Sequence, residues 1–342
     1  MNNTLFYKIS LSACILAFLV IVLGAYVRLS DAGLGCPDWP GCYGQITAPD
    51  EAEEITRAQV AYSINHIDSG KAWKEMIHRY FAATLGLLIL VMAYIAWRNR
   101  TNQQQPVLLP ILLVALVIFQ GLLGMWTVTL LLKPSIVTLH LLTGLLTLSL
   151  LFWLVLKQIH FQKQLQKYTS AMQLRLWARA SLLVLIIQIF LGGWTSTNYA
   201  ALYCIDFPTC QGQWIPDMNI KDAYQFFSEV GVNYEGGVLS HEAGVTVHFM
   251  HRLGALITFI VVSGLAITLL IKEKPLLIKQ ISLAILTLLL LQVSLGIANV
   301  LLLLPLPIAV SHNAIAAALL LALIVLNYVL HTPLIKQKGL TA

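Results

Sequence analysis

The sequence is short of charge. Only 11% of its 342 residues are Asp, Glu, Lys or Arg, where a soluble globular domain carries about a quarter, and 58% are hydrophobic at a mean hydropathy of +0.79. An ordinary water-soluble globule is excluded, and so are disordered and collagen-like chains. Cysteine is also scarce: five in the whole chain cannot replace a core, which removes the small disulfide-stapled secreted folds. Acidic residues avoid long stretches altogether, and between Lys279 and Lys336 there is no charged side chain of either sign.

What fills those stretches is apolar sequence of bilayer length. Crossing roughly 30 Å of hydrocarbon takes about 20 residues. Ile9 to Val27, Tyr80 to Trp97, Pro106 to Leu132, Pro134 to Leu156, Ala180 to about Thr197 and Leu253 to Ile271 each qualify, bounded by charge or proline. The run after Lys279 is about two spans long, and Pro305-Leu-Pro307 divides it. The expected fold is an all-α integral membrane protein with eight transmembrane helices. The first span exceeds a typical signal-peptide core and leads directly into a repeated motif, so it is read as part of the mature chain.

Charge placement sets the orientation. With the N-terminus inside, thirteen of the 21 Lys and Arg fall on inner segments (Lys8, Arg98, Arg100, Lys157, Lys163, Lys167, Arg175, Arg179, Lys272, Lys274, Lys279, Lys336 and Lys338), whereas every acid but Glu273 falls outside. The net +6 is therefore a topology signal, and nucleic acid is not an expected partner. Both termini are expected to be cytoplasmic, with two long outer loops near 29–76 and 198–246.

The chain repeats itself. Cys36-Pro-Asp38-Trp-Pro40-Gly-Cys42-Tyr-Gly44-Gln45 matches Cys204-Ile-Asp206-Phe-Pro208-Thr-Cys210-Gln-Gly212-Gln213 at seven of ten positions, six by identity and one by the aromatic pair Trp39 and Phe207. Gly24 falls on Gly192 at the same shift of 168 residues; His78-Arg79 falls on His251-Arg252 at 173, and Gln120, Gly124 and His140 on Gln292, Gly296 and His312 at 172. The expectation is two tandem four-helix bundles, residues 1–160 and 161–342. An even number of crossings per half makes their relation a pseudo-two-fold along the membrane normal.

Four histidines recur as two pairs, His78 with His140 and His251 with His312, each pair on alternate helices at similar depth, roughly 25–31 Å above the inner ends at 1.5 Å per residue. Intramembrane ionisable residues are costly and usually functional. Two imidazoles facing one another across a four-helix bundle are how such bundles hold haem iron. Zn or Cu without a porphyrin would want further ligands that neither pair supplies. Glu75 lies three residues before His78, on the same helix face, and its counterpart is His248. The half with the carboxylate can move protons where its twin cannot. Arg79 and Arg252, beside the histidines, are candidates for haem propionates or for headgroup snorkelling.

Cys36 and Cys42 enclose five residues, as do Cys204 and Cys210, on the side where disulfides persist. Spacing admits either two short bridges or one shared four-cysteine metal site, and the intervening Pro and Trp favour bridges. Cys14 is mid-span and reads as apolar filler. The segment 215–245, rich in acids and carrying Tyr224, Phe226, Phe227 and Tyr234, reads as a solvated cap. His66 and His241 in loops, and His160 and His331 near inner ends, are assigned no site.

The stretch from Gly24-Ala-Tyr-Val-Arg28 to Cys42, with Glu75-Met-Ile-His78-Arg79 and His248-Phe-Met-His251-Arg252, resembles the haem A synthase family of the bacterial type with paired outer cysteines, over essentially the whole chain. The resemblance implies a membrane oxidoreductase of the bacterial cytoplasmic membrane that oxidises the C8 methyl of haem O to the formyl of haem A, through two hydroxylations and loss of water. It implies haem b on His251 and His312, substrate haem on His78 and His140, and Glu75 as the acidic residue of the reaction. Expected partners are the lipid bilayer, haem O synthase, oxidase assembly factors and further copies of the chain. The rival expectation is a dihaem b-type cytochrome passing electrons from quinol.

Overall fold

The computed structural model describes residues 2–102, 105–159 and 171–331. His160, Lys163, Lys167, Lys336 and Lys338 lie outside the described residues. Among the described residues, eight helices are long and apolar enough to cross a membrane. They are α1 (Asn2–Leu29), α3 (Ser69–Arg98), α4 (Leu108–Thr129), α5 (Pro134–Gln158), α6 (Met172–Thr197), α8 (His241–Lys272), α9 (Leu276–Leu301) and α10 (Leu306–His331). Two short helices, α2 (Ala52–Tyr62) and α7 (Ile220–Ala223), lie in the long connections that carry the cysteines.

Local chemistry sets the boundaries. The Asp68 carboxylate accepts from Lys71 N–H at 3.0 Å and starts α3, and the Ser240 hydroxyl accepts from Ala243 N–H at 3.4 Å and starts α8. Pro134 opens α5, and Pro305 stands just before α10. Both α3 and α8 begin about a dozen residues before the apolar runs read from sequence, because 69–79 and 241–252 are too polar for a hydropathy signal. His241 is accordingly the first residue of α8 and not a loop residue.

Exposure fits lipid as the solvent. Leu87, Leu90 and Tyr94 on α3 are 61%, 49% and 55% exposed, a liability in water and ordinary against acyl chains. Inside, α1 packs on α3 and α5, with α4 against α3 and α5; likewise α6 packs on α8 and α10, with α9 against α8 and α10. The two sets meet through α5 with α6, α1 with α10 and α5 with α10. Leu148, Leu151 and Leu154 of α5 share one fully buried core with Leu319, Leu323 and Leu326 of α10.

Irregular backbone occurs at matched places. Leu131 and Leu132 between α4 and α5 have φ of 48° and 60°, and Leu303 and Leu304 between α9 and α10 have 58° and 62°. Leu132 N–H bonds Thr127 carbonyl as Leu304 N–H bonds Asn299 carbonyl. Asp31 and Tyr199, and then Tyr43 and Gln211, also share positive φ, and Pro40 and Pro208 both follow cis bonds.

The cysteines form two bridges, Cys36–Cys42 and Cys204–Cys210, as the spacing suggested. Each bridged loop sits on the first turns of the following long helix. The first buries its sulfurs against Ala72 and Met76, the second against Val245. The close approach is achieved in opposite ways. A Cβ on Gly35 would lie 2.7 Å from the Lys71 backbone, whereas in the second half the Tyr203 ring covers Gly244, whose added Cβ would meet it at 2.5 Å. The small residue has moved from loop to helix.

The segment 215–245 differs from the solvated cap expected. Tyr224 stacks on Trp194 at 6.3 Å and 15°, Phe226 lies 4.9 Å from Trp194, and Trp194 Nε1–H donates to Ala223 carbonyl at 2.8 Å. Tyr234 is buried, and its N–H reaches across to Leu131 carbonyl at 3.0 Å. Phe227 alone of these aromatics is fully exposed. The apolar rings are spaced without helical or strand period, so burial here leaves no sequence pattern.

Candidate functional site

All four paired histidines point between helices, and each rests on a glycine. An added Cβ on Gly24 would sit 3.0 Å from His78 Cε1, on Gly192 2.9 Å from His251 Cε1, on Gly124 3.5 Å from His140 Cε1 and on Gly296 3.2 Å from His312 Cε1. These glycines are the ones that the repeat brings into register, so α1 and α4 cradle the first pair as α6 and α9 cradle the second.

The imidazoles keep nitrogen atoms unspent. His78, His140 and His312 each bury an Nδ1 that has no hydrogen-bond partner. His251 Nδ1 is bonded by Gln188 Nε2 at 3.0 Å, which does not use its Nε2, and Gln292 Nε2 lies 3.1 Å from His312 Nε2. Buried polar atoms are normally satisfied, and an orphan asks for an explanation such as a missing ligand. No group of three or more His, Cys, Asp or Glu able to hold a bare metal ion occurs among the described residues. Paired imidazoles with orphaned nitrogens therefore fit the two axial ligands of a haem better than a naked ion.

A cavity of about 1060 Å³ opens between the halves at the second pair. His251 and His312 line it with Gln188, Gln292, Arg28 and Tyr199; deeper, its wall is Leu185, Leu289 and Leu319. One end is polar and the other apolar, as an amphiphilic porphyrin requires. His78 and His140 lie outside it.

Glu75 and His248 hold equivalent posts. Glu75 Oε2 accepts from Cys36 N–H at 2.9 Å and Oε1 from Arg79 Nη2 at 2.6 Å. His248 Nδ1 lies 3.2 Å from Cys204 N and its Nε2 3.2 Å from Arg252 Nε, and a neutral imidazole accepts from one of the two. Each ties the bridged loop and the arginine to the histidine helix. Only Glu75 does so with a negative charge, and its carboxylate is 7% exposed.

Arg79 and Arg252, the candidates for propionates or headgroups, make other contacts here. Arg79 Nη1 donates to the carbonyls of Asp38, Pro40 and Gly41, and Arg252 to those of Asp206, Thr209 and Cys204. Both lace the bridged loop to the helix, although Arg252 also borders the cavity.

The COX15-CtaA family, described as cytochrome oxidase assembly protein, matches residues 7–324. The chain belongs to this family. A haem A synthase of Shewanella oneidensis is 47% identical over 316 residues, 92% of this chain and 94% of that protein. Another, from Rickettsia felis, is 27% identical over 350 residues, covering 97% and 100% of the two chains, and one from Shouchella clausii is 27% identical over 205 residues, covering 58% and 62%.

Within this COX15-CtaA chain, sequence reasoning passed over Arg28, Gln188 and Tyr199, which line the cavity. Each departs from the repeat: at the shift of 168 residues Arg28 falls on Ser196, Tyr199 on Asp31 and Gln188 on Val20. A search for what the halves share is blind to them. Reading the repeat for its mismatches, as was done for Glu75 and His248, would have found all three.

Proposed function

We propose that this protein is a haem A synthase, an integral-membrane oxidoreductase that oxidises the C8 methyl of haem O to a formyl. The observation that carries the reading is the 47% identity to a haem A synthase across 92% of the chain, on a fold that sets out two histidine pairs. The halves divide the work: residues 1–160 take the substrate haem on His78 and His140, and residues 161–342 hold a haem b on His251 and His312. The haem b, when bound, supplies one-electron chemistry.

The asymmetry between Glu75 and His248 supports this division. Glu75 Oε1 lies 2.6 Å from Arg79 Nη2, and a carboxylate one turn from His78 can accept a proton released from the substrate or stabilise positive charge there. His248 offers no such charge, which suits a half that only holds its haem. The substrate's farnesyl tail needs apolar surface, and the lipid-facing side of α3, with Leu87 and Leu90 exposed, supplies it.

The positive-inside distribution supports a bacterial cytoplasmic membrane location with both termini in the cytoplasm and both bridged loops outside. Haem O synthase, oxidase assembly factors and further copies of the chain are the partners that this role predicts. The test is coexpression with a haem O source in a host that makes no haem A. Haem A must appear in the membranes; its absence, with the protein present and haem O supplied, contradicts the reading.

A further inference from the structure

We infer that Arg28, with the Tyr199 hydroxyl beside it, is the seat for a propionate carboxylate of the porphyrin held by His251 and His312. The inference rests on the haem reading above and assigns a contact between halves, because Arg28 belongs to α1 and the two histidines to α8 and α10.

Arg28 lines the polar end of the cavity with its side chain 15% exposed, and its neighbour Asp31 stands 3.9 Å away with its own carboxylate 58% exposed. That ion pair is long and its acid solvated, so it offsets the part-buried guanidinium only weakly and leaves room for a closer, planar anion. Donor arithmetic points the same way. A guanidinium has five N–H groups; Arg28 Nη2 donates to Ser196 carbonyl at 2.5 Å and the Tyr199 side chain stands within hydrogen-bond reach, so N–H groups remain for a further acceptor. Its flat face is taken by the Tyr199 ring at 3.8 Å, which leaves the edge for a planar acceptor. Arg79 and Arg252, by contrast, are engaged by the loop carbonyls and by Glu75 or His248.

Tyr199 adds a second donor. Its hydroxyl oxygen is buried beside Arg28 and Gly236, and its proton has no acceptor. Burial pushes the phenol above its ordinary pKa, so it stays protonated. The repeat position of Arg28 is Ser196, which carries no charge, so the seat serves the second pair and has no twin at the first.

The test uses purified holoprotein in neutral detergent, in a His78→Ala background so that the second pair alone holds protohaem. Two quantities are measured: haem loss to excess apomyoglobin, and the propionate bending band in resonance Raman. Arg28→Gln should speed haem loss about tenfold, as befits one charge-assisted hydrogen bond, and shift the propionate band. Arg28→Lys should shift the band less, since it keeps the charge without the fork. It is the second variant should Arg28→Gln not fold, and Tyr199→Phe should give a smaller shift of the same sign. A band unmoved in these variants overturns the inference, whatever happens to the loss rate, because a merely structural bridge between α1 and α6 would leave the propionates undisturbed. Absence of a low-spin two-imidazole spectrum before any change at Arg28 would instead sink the haem reading itself.

Discussion

Glu75 has two jobs that can be separated, because the second half of the molecule shows how one is done without the other. His248 stands 3.2 Å from both Cys204 N and Arg252 Nε, bridging loop and arginine with no negative charge. Glu75→His should therefore keep the bridged loop in place and leave both haem sites filled, yet lower haem A formation by roughly 100-fold or more, the usual worth of a positioned acid or base. Pigment analysis of membranes reads the outcome, and near-normal haem A in that variant would remove the carboxylate from the chemistry. Asp206 makes a different prediction. Its carboxylate accepts from Thr209 Oγ, Gly212 N–H and Gln211 N–H at 2.5, 2.9 and 2.7 Å, bonds that hold it down at a pKa of about 2. A carboxyl depressed in the folded state stabilises the fold fully above its ordinary pKa near 4 and loses that contribution as pH falls through about 2. The protection factors of the Gln211 and Gly212 amides, taken against intrinsic exchange at each pH, should hold down to about pH 4 and be lost as pH falls through about 2; protection that fades already near neutrality would contradict this.

At the scale of the helix pair, the glycine beds decide how the imidazoles stand. Gly192→Ala would bring a Cβ to 2.9 Å from His251 Cε1, so the ring must move, whereas Gly124→Ala reaches only 3.5 Å from His140 Cε1, an ordinary contact. Overpacking of this kind costs about 1–3 kcal/mol. Haem-to-protein ratio and the low-spin spectrum should fall in Gly192→Ala and persist in Gly124→Ala; equal loss in both would mean that the beds are not what positions the ligands. The spans themselves were legible in sequence because lipid demands long uncharged runs, and the histidine pairs because duplication wrote each of them twice. The extensions of α3 and α8 beyond those runs were not, since they are held by the Asp68 and Ser240 caps and by the bridged loops, none of which leaves a hydropathy trace. The contacts of Arg79 and Arg252 to the bridged loops were not legible, because their partners are backbone carbonyls that any residue supplies.

Across the whole molecule, the two sets of four helices share one buried core toward their inner ends and meet at the cysteine end through Arg28 with Ser196 and Tyr199, Tyr234 with Leu131, and Thr138 with Thr197 at 3.0 Å. These are contacts between a residue of one half and a residue of the other, and several involve positions where the repeat is broken. On the function proposed above, the two sets would be two similar haem sites, made different by the departures from the repeat, Glu75 against His248 and Arg28 against Ser196. That difference is the central claim, and pigment identity is its most direct measure. The protein is purified after coexpression with a haem O source, and its pigments are extracted and identified by mass in the wild type and in His78→Ala and His251→Ala variants. Expected are one protohaem together with haem O or haem A in the wild type, loss of the haem O and A fraction in His78→Ala, and loss of protohaem in His251→Ala. Two firmly held protohaems with no haem O or A, each removed by its own histidine substitution, would contradict it and describe a dihaem electron carrier instead.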